Sequence, residues 1–308
     1  MKSTYILVLL LGLVLFGCVG APPAEAPQDA DETTEPIVYN VTPETEEPVE
    51  EPETEVDETE DETEETDEET EETEETDELS EIESEEISFR TQDQWEIYAT
   101  IYYAKETDGV WSPDSAIVLL HELGADRSSY DSLIPVLHEK FPDSDVVALD
   151  IRGHGKSTNH GTYERFGVGD FKGAKYDVVA LKSELGTLRP TIENYYLVGA
   201  SMGSSIAIKY AAEEGGVKRV VMLSPGTAYQ NFDITENIED YDFGLFMAVA
   251  SDDHYSAGSA SELYSISGSD PKELKTYYGI SAHGTNLLEA TADDSEPLED
   301  MIVEWLKR

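Results

Sequence analysis

The pentapeptide Gly199-Ala200-Ser201-Met202-Gly203 has the residue types for nucleophilic chemistry, at the spacing that chemistry needs. A serine hydroxyl is a poor nucleophile until it is presented clear of its neighbours and a base can take its proton. G-x-S-x-G achieves the presentation when it joins a strand to a helix: the turn is sharp and strained, and the hydroxyl projects at the carboxyl end of the sheet. Here the apolar run Tyr195-Tyr196-Leu197-Val198 precedes it, and a helix-like stretch from Ser204 to Ala212 follows. Two other groupings begin like functional motifs and stop short. His121-Glu122 opens like a zinc-binding H-E-x-x-H, but Ala125 stands where the second histidine belongs, so no metal is expected. Gly155-Lys156-Ser157 resembles the end of a phosphate-binding loop, but Asp150 occupies the place of that loop's first glycine. Nucleotide binding is therefore not expected, and neither is any cofactor.

The elements that must position Ser201 alternate along the chain. Ile87 to Arg90 and Trp95 to Tyr103 read as two strands around the turn Thr91-Gln92-Asp93-Gln94. Ala116 to Leu120, Val146 to Asp150, Tyr195 to Val198, Val217 to Leu223, Gly244 to Ala250 and Leu274 to Gly279 read as further strands. Between and after them, Tyr130 to Lys140, Phe171 to Leu188 and Glu299 to Lys307 have helical spacing; Val178, Leu181 and Leu185 lie three and four apart. Strands alternating with helices predict an α/β class, a doubly wound and mostly parallel sheet covered on both faces. The leading hairpin predicts antiparallel strands added at one edge.

Four stretches besides the pentapeptide fall at the ends of these strands. Leu119-Leu120-His121-Glu122-Leu123-Gly124 follows one strand, and Asp150-Ile151-Arg152-Gly153-His154-Gly155-Lys156-Ser157 follows the next. Phe246 to Ala250 runs into Ser251-Asp252-Asp253, and Ala282-His283-Gly284 comes after the last strand. With these motifs in this order, residues 87–308 resemble an α/β hydrolase. The resemblance implies that Ser201 is the nucleophile and His283 its general base, in the chain order serine, acid, histidine. The family's acid comes three residues past a small residue, and Ala250 in that place points to Asp253, with Asp252 as the competing candidate. By the same resemblance the N–H groups of Leu123 and Met202 would bind the oxyanion, and Glu122 stands where the family has a glycine. His121 is expected to be structural. Asp253 would fix the imidazole tautomer, and the reaction would pass through an acyl-enzyme on Ser201.

Only residues 225–242 separate the strand ending near Ser224 from the next, so no large cap fits. The site is expected to be open, walled by this loop and by Lys156 to Asp170, with Tyr163, Phe166, Tyr229 and Phe232 as candidate apolar contacts. A capless body of this size resembles the dienelactone-hydrolase-like and serine-aminopeptidase-like branches. The former uses cysteine, so Ser201 favours esterase-type chemistry. Carboxylic esters, acyl groups on a surface polymer, and small amides or thioesters are the expected substrates. The alternative is a catalytically silent, surface-tethered binding protein of the same fold, against which the intact serine, acid and histidine speak.

Charge and the amino end define the setting. The 308 residues carry a formal net charge of -49. Of the 68 Asp and Glu, 32 fall between Ala21 and Glu86, a stretch with no Lys or Arg. The remainder is also acidic, so electrostatics would repel nucleic acid, and none is expected as a partner. Residues 19–86 are dominated by Glu, Thr and Pro, too poor in apolar groups to offset chain entropy, and predict a disordered tether of roughly 230 Å at full extension. Asn40-Val41-Thr42 is a glycosylation sequon within it. Before it, Lys2 and the apolar run Tyr5 to Phe16 describe a secretory signal across residues 1–18. That run ends on Leu15-Phe16-Gly17-Cys18, which resembles a prokaryotic lipobox and implies lipidation of Cys18, the single cysteine. An uncleaved membrane anchor is the alternative, and both put the rest of the chain at the cell surface, outside the cytoplasm.

Overall fold

The computed structural model describes residues 75–106 and 112–308. The expected signal ending at Cys18, the sequon at Asn40 and most of the acidic tether lie outside these residues. Among the described residues no helix is long and apolar enough to cross a membrane.

A short helix α1 (Glu75–Ser80) leads into the antiparallel hairpin β1 (Ser84–Arg90) and β2 (Glu96–Tyr102). The folded part therefore begins ahead of residue 87, where the sequence placed its start. The acidic residues up to Glu86 hid this, because β1 is solvated along most of its length and buries only Phe89. Ile82 and Leu79, between and within these elements, pack on the core, and Glu86 bonds Lys156 at 2.6 Å and also pairs with Arg127. The chain continues through β3 (Ser115–Leu120), α2 (Leu133–Lys140), β4 (Ser144–Asp150), α3 (Val168–Gly173), α4 (Lys175–Leu188), β5 (Asn194–Ala200) and α5 (Met202–Glu214). After β6 (Val217–Leu223) come a two-residue hairpin, β7 (Ala228–Tyr229) with β8 (Phe232–Asp233), and α6 (Thr235–Asp240). The chain closes with β9 (Gly244–Ala250), α7 (His254–Ile266), β10 (Lys272–Tyr277), α8 (Asn286–Ala290) and α9 (Leu298–Lys307).

Eight strands form one sheet in the order β1-β2-β4-β3-β5-β6-β9-β10. β1, β2 and β4 pair antiparallel, and every pairing from β4 to β10 is parallel. The central strands are buried on both faces, as helical cover on both sides requires. Ala116, Val118 and Leu120 of β3 face a core shared with α4, α5 and α7, while Ile117 and Leu119 face one built from α2, α8 and α9. Each fully buried Leu, Ile or Val side chain contributes about 1.5–3 kcal/mol to holding this arrangement.

Two helices differ from expectation. The predicted helix from Phe171 to Leu188 is two, meeting at Ala174; a Cβ on Gly173 would stand 2.9 Å from the Arg152 guanidinium, so this turn is shaped around that side chain. α7 had no clear sequence signal, because its buried positions Ser256, Ser259, Ala260 and Leu263 are mostly small or polar. They nevertheless lie at helical spacing.

Strand register sets up the site. Leu120 pairs Leu149 and Gly199, Ala200 pairs Leu223, Leu223 pairs Ala248, and Ala250 pairs Tyr277. The carboxyl ends of all the parallel strands are therefore level, and the loops that follow them emerge along one edge, where ligands bind in open α/β sheets.

Candidate active site

Ser201 joins β5 to α5 in a backbone conformation that side chains rarely adopt, with φ +50° and ψ −114°. Such strain costs on the order of 1–3 kcal/mol and persists only where the surroundings enforce it. They do so here. The Ser201 N–H donates to the Leu223 carbonyl at 2.8 Å, and α5 packs so closely that a Cβ on Gly203 would sit 2.1 Å from the Leu120 carbonyl oxygen. A Cβ on Gly199 would meet the Gly203 carbonyl at 2.4 Å. Both glycines are thus required by close backbone approach.

His283, on the loop after β10, reaches this serine: its Nε2 is 2.8 Å from Ser201 Oγ, and its Nδ1 is 2.6 Å from Asp253 Oδ2. A carboxylate accepts, so Nδ1 carries the proton and the Nε2 lone pair faces the hydroxyl. Asp253 is placed by α7, whose amino end it caps by accepting from the Ser256 N–H at 3.3 Å. Burial works to raise the Asp253 pKa, but hydrogen bonds from Ser256 and His283 outweigh it and hold the carboxyl below its ordinary value. Asp252, the other candidate acid, is exposed; Ser251 donates to its carboxylate at 2.8 Å, and it makes no contact with the imidazole. His254 is exposed beside it.

Across from His283 lies the loop after β3. His121 is fully buried; its Nδ1–H donates to the Glu122 carbonyl at 2.7 Å, and its Nε2 accepts from the Ile151 N–H at 3.1 Å. Burial pushes its pKa down to about 3, so it is a neutral strut that fastens this loop to the end of β4. Glu122, in the place of the expected glycine, accepts from Thr285 Oγ1 at 2.8 Å and so clasps the histidine loop. Among the described residues, no hydrogen bond engages the N–H of Leu123 or of Met202. Met202 is the first residue of α5, where unpaired N–H groups and the helix dipole both favour negative charge. The two residues border a small apolar hollow of about 10 Å³ lined also by Phe166, Phe171 and Ile206.

The turn after β4 is a support. The Asp150 carboxylate accepts the N–H groups of Arg127 at 3.0 Å and Lys156 at 2.9 Å, and Gly155 lies so close that a Cβ would overlap it at 2.3 Å. Arg152 is buried, bonded through Nε to Asp177 at 2.8 Å and through Nη1 to Asp93 at 2.6 Å. Of the four aromatic candidates, Phe232 does not line the site; it is fully buried in the core. Tyr163 stacks on His154 at 4.4 Å, and Phe166 packs edge-on to Trp95 and Phe171. Tyr229 stands edge-on to His283 with centroids 6.1 Å apart. The sequence reading passed over Ser224, Ser256 and Thr285, polar residues in loops and first turns with no motif to mark them.

A family model described as serine aminopeptidase, S33, matches residues 112–235. Among solved structures, an esterase of Pyrococcus furiosus superposes with a TM-score of 0.62 at 20% identity, over 75% of this chain and 94% of that one. An esterase from Exiguobacterium antarcticum superposes with a TM-score of 0.56 at 13% identity, over 72% and 99% of the two chains. A thermostable carboxyl esterase from Bacillus coagulans gives 0.55 at 16% identity, over 73% and 98%. No curated protein matches the chain. With the level strand ends and the serine turn in place, the chain has the α/β-hydrolase fold that these structures share.

Proposed function

We propose that the chain hydrolyses carboxylic esters through an acyl-enzyme on Ser201. The observation that carries this reading is the unbroken hydrogen-bond chain Ser201 Oγ, His283, Asp253, with links of 2.8 and 2.6 Å, ending on a serine held at positive φ. Ser201 Oγ attacks the acyl carbonyl while His283 Nε2 takes its proton. Asp253 accepts from Nδ1 throughout and stabilises the imidazolium. The Leu123 and Met202 N–H groups receive the oxyanion; one such donor is worth about 3 kcal/mol to the transition state. His283 then protonates the leaving alcohol, and the acyl-enzyme is cleared by water activated at the same nitrogen.

The same reading puts the enzyme outside the cytoplasm, held to the membrane through Cys18 or through an uncleaved apolar segment, with Lys2 and the run Tyr5 to Phe16 in support. Small esters or acyl groups on a surface polymer are the substrates proposed. The match to a serine aminopeptidase model favours amides as a second class. A fluorophosphonate probe, followed by p-nitrophenyl esters of increasing acyl length and aminoacyl anilides, tests the chemistry, and loss of membrane association in Cys18→Ser tests the lipid anchor. Labelling of the wild type and not of Ser201→Ala is expected, with the ester series ranking the acyl lengths the site accepts. An unlabelled wild type would return the silent binding protein, and faster anilide than ester turnover would make it a peptidase.

A further inference from the structure

The hydrogen-bond chain does not stop at Asp253. Ser256, fully buried in the first turn of α7, has its Oγ 3.4 Å from His283 Nδ1 and 3.0 Å from the Tyr229 hydroxyl. Its side chain also bonds the Asp253 carboxylate. The Tyr229 hydroxyl lies 2.8 Å from the Ser224 carbonyl and also bonds the side chain of Ser201. A carbonyl can only accept, so the one tyrosine proton goes to Ser224. The Ser256 proton is then free to go to Tyr229 or to Asp253, while its oxygen accepts a share of the His283 Nδ1–H.

Ser224 closes the loop. It is fully buried at φ +47°, and its Oγ accepts from the N–H of Gly284, the residue after His283, at 3.0 Å. The hydroxyl of Tyr229 therefore reaches both sides of the histidine, the acid through Ser256 and the histidine loop through Ser224. His283 needs such support: its side chain is 40% exposed, and a single bond to Asp253 sets the direction of Nδ1 without setting the tilt of the ring. The edge of Tyr229 stands at 87° to that ring. Buried hydroxyls are costly to leave unpaired, so a wall loop with packing as its only task would be simpler with Phe and Ala at these positions.

We propose that Tyr229 and Ser256 are positioning residues that keep the Asp253–His283 pair aligned on Ser201, so that the loop walling the site also controls the competence of its base. The inference rests on the Ser201 hydrolase reading. It is tested by kcat and KM on p-nitrophenyl acetate for the wild type, Tyr229→Phe, Ser256→Ala, the double variant and Ser201→Ala. Each single variant is expected to lower kcat about tenfold with KM within about twofold, since alignment acts on the chemical step. The double variant should fall no further than the worse single, because both break one chain. The rate of fluorophosphonate labelling should fall in parallel with kcat, and Tyr229→Phe decides the matter by this measure if Ser256→Ala does not fold. Wild-type kcat in Tyr229→Phe, a raised KM at constant kcat, or losses that multiply in the double variant would each overturn the inference. If Ser201→Ala is inactive while Tyr229→Phe is normal, only the positioning role fails. Wild-type turnover by Ser201→Ala would overturn the hydrolase reading and the positioning role with it.

Discussion

Asp252 and Asp253 are adjacent and chemically identical, yet their surroundings assign them different work. Asp253 caps α7 and meets His283 at 2.6 Å, whereas Asp252 is exposed and is bonded by its neighbour Ser251. With Ser201 as nucleophile, Asp253→Asn is expected to lower kcat by a factor on the order of 10⁴ by favouring the wrong imidazole tautomer. Asp252→Asn should cost less than about tenfold, and steady-state kinetics on one ester would rank the two. His121 makes a different prediction. Burial drives its pKa from 6.5 to about 3, so below pH 6.5 the unfolded chain takes up a proton that the folded chain refuses. Stability is therefore lost as pH falls through that window, by about 1.4 kcal/mol per unit for this one group. His154 is also buried and pushed down, and adds in the same direction. His121→Gln keeps an acceptor near Nε2 and cannot titrate. Its Tm should change less between pH 7 and pH 5 than the wild type's, even though it starts lower.

At the scale of elements, the approach of α5 to β3 decides whether the serine turn exists. Gly203 lies against the Leu120 carbonyl, and that carbonyl also accepts from Tyr130 at 3.1 Å, so the backbone there cannot easily move aside. Gly203→Ala must push α5 away. Overpacking of this kind costs roughly 1–3 kcal/mol, which lowers Tm by several degrees in a domain of this size. The same shift would carry the Met202 N–H away from the oxyanion position proposed for it, so activity should fall by more than the loss of folded protein accounts for. Calorimetry beside active-site titration separates the two effects. Unchanged Tm and kcat would mean that the close approach is dispensable.

For the whole molecule, charge and chemistry are divided along the chain. Residues 21–86 hold 32 of the 68 acids, while the groups proposed for catalysis lie between Leu123 and His283. α1, Ile82 and β1 belong structurally to the α/β body, so a fair truncation must stop short of them. Removing residues 25–72 is expected to leave kcat/KM on a small neutral ester within about twofold, since screening confines charge effects to roughly 10 Å at ordinary ionic strength. A larger change would show that the acidic stretch takes part in the reaction. A cut extended through Glu86 should instead lower stability, because it removes α1, Ile82, the first three residues of the strand paired with β2, and the carboxylate shared by Lys156 and Arg127.

The order of strands and helices, the serine turn and the histidine that pairs with it were legible in the chain alone. Each is written locally, in apolar runs of fixed period, in glycines at fixed spacing and in a small set of six histidines. Wherever several distant segments meet, local pattern carried no answer. The choice between Asp252 and Asp253 depends on which way a loop turns into α7, a helix whose small, serine-rich buried face hides its period. The start of the folded part was masked because a solvated edge strand reads like the acidic residues before it. Phe232 went to the core and Tyr229 to the histidine because the short hairpin they share turns one inward and leaves the other at the site. Ser224, Ser256 and Thr285 matter only through what the level strand ends bring beside them. That juxtaposition is a property of packing, and the tertiary structure alone decides it.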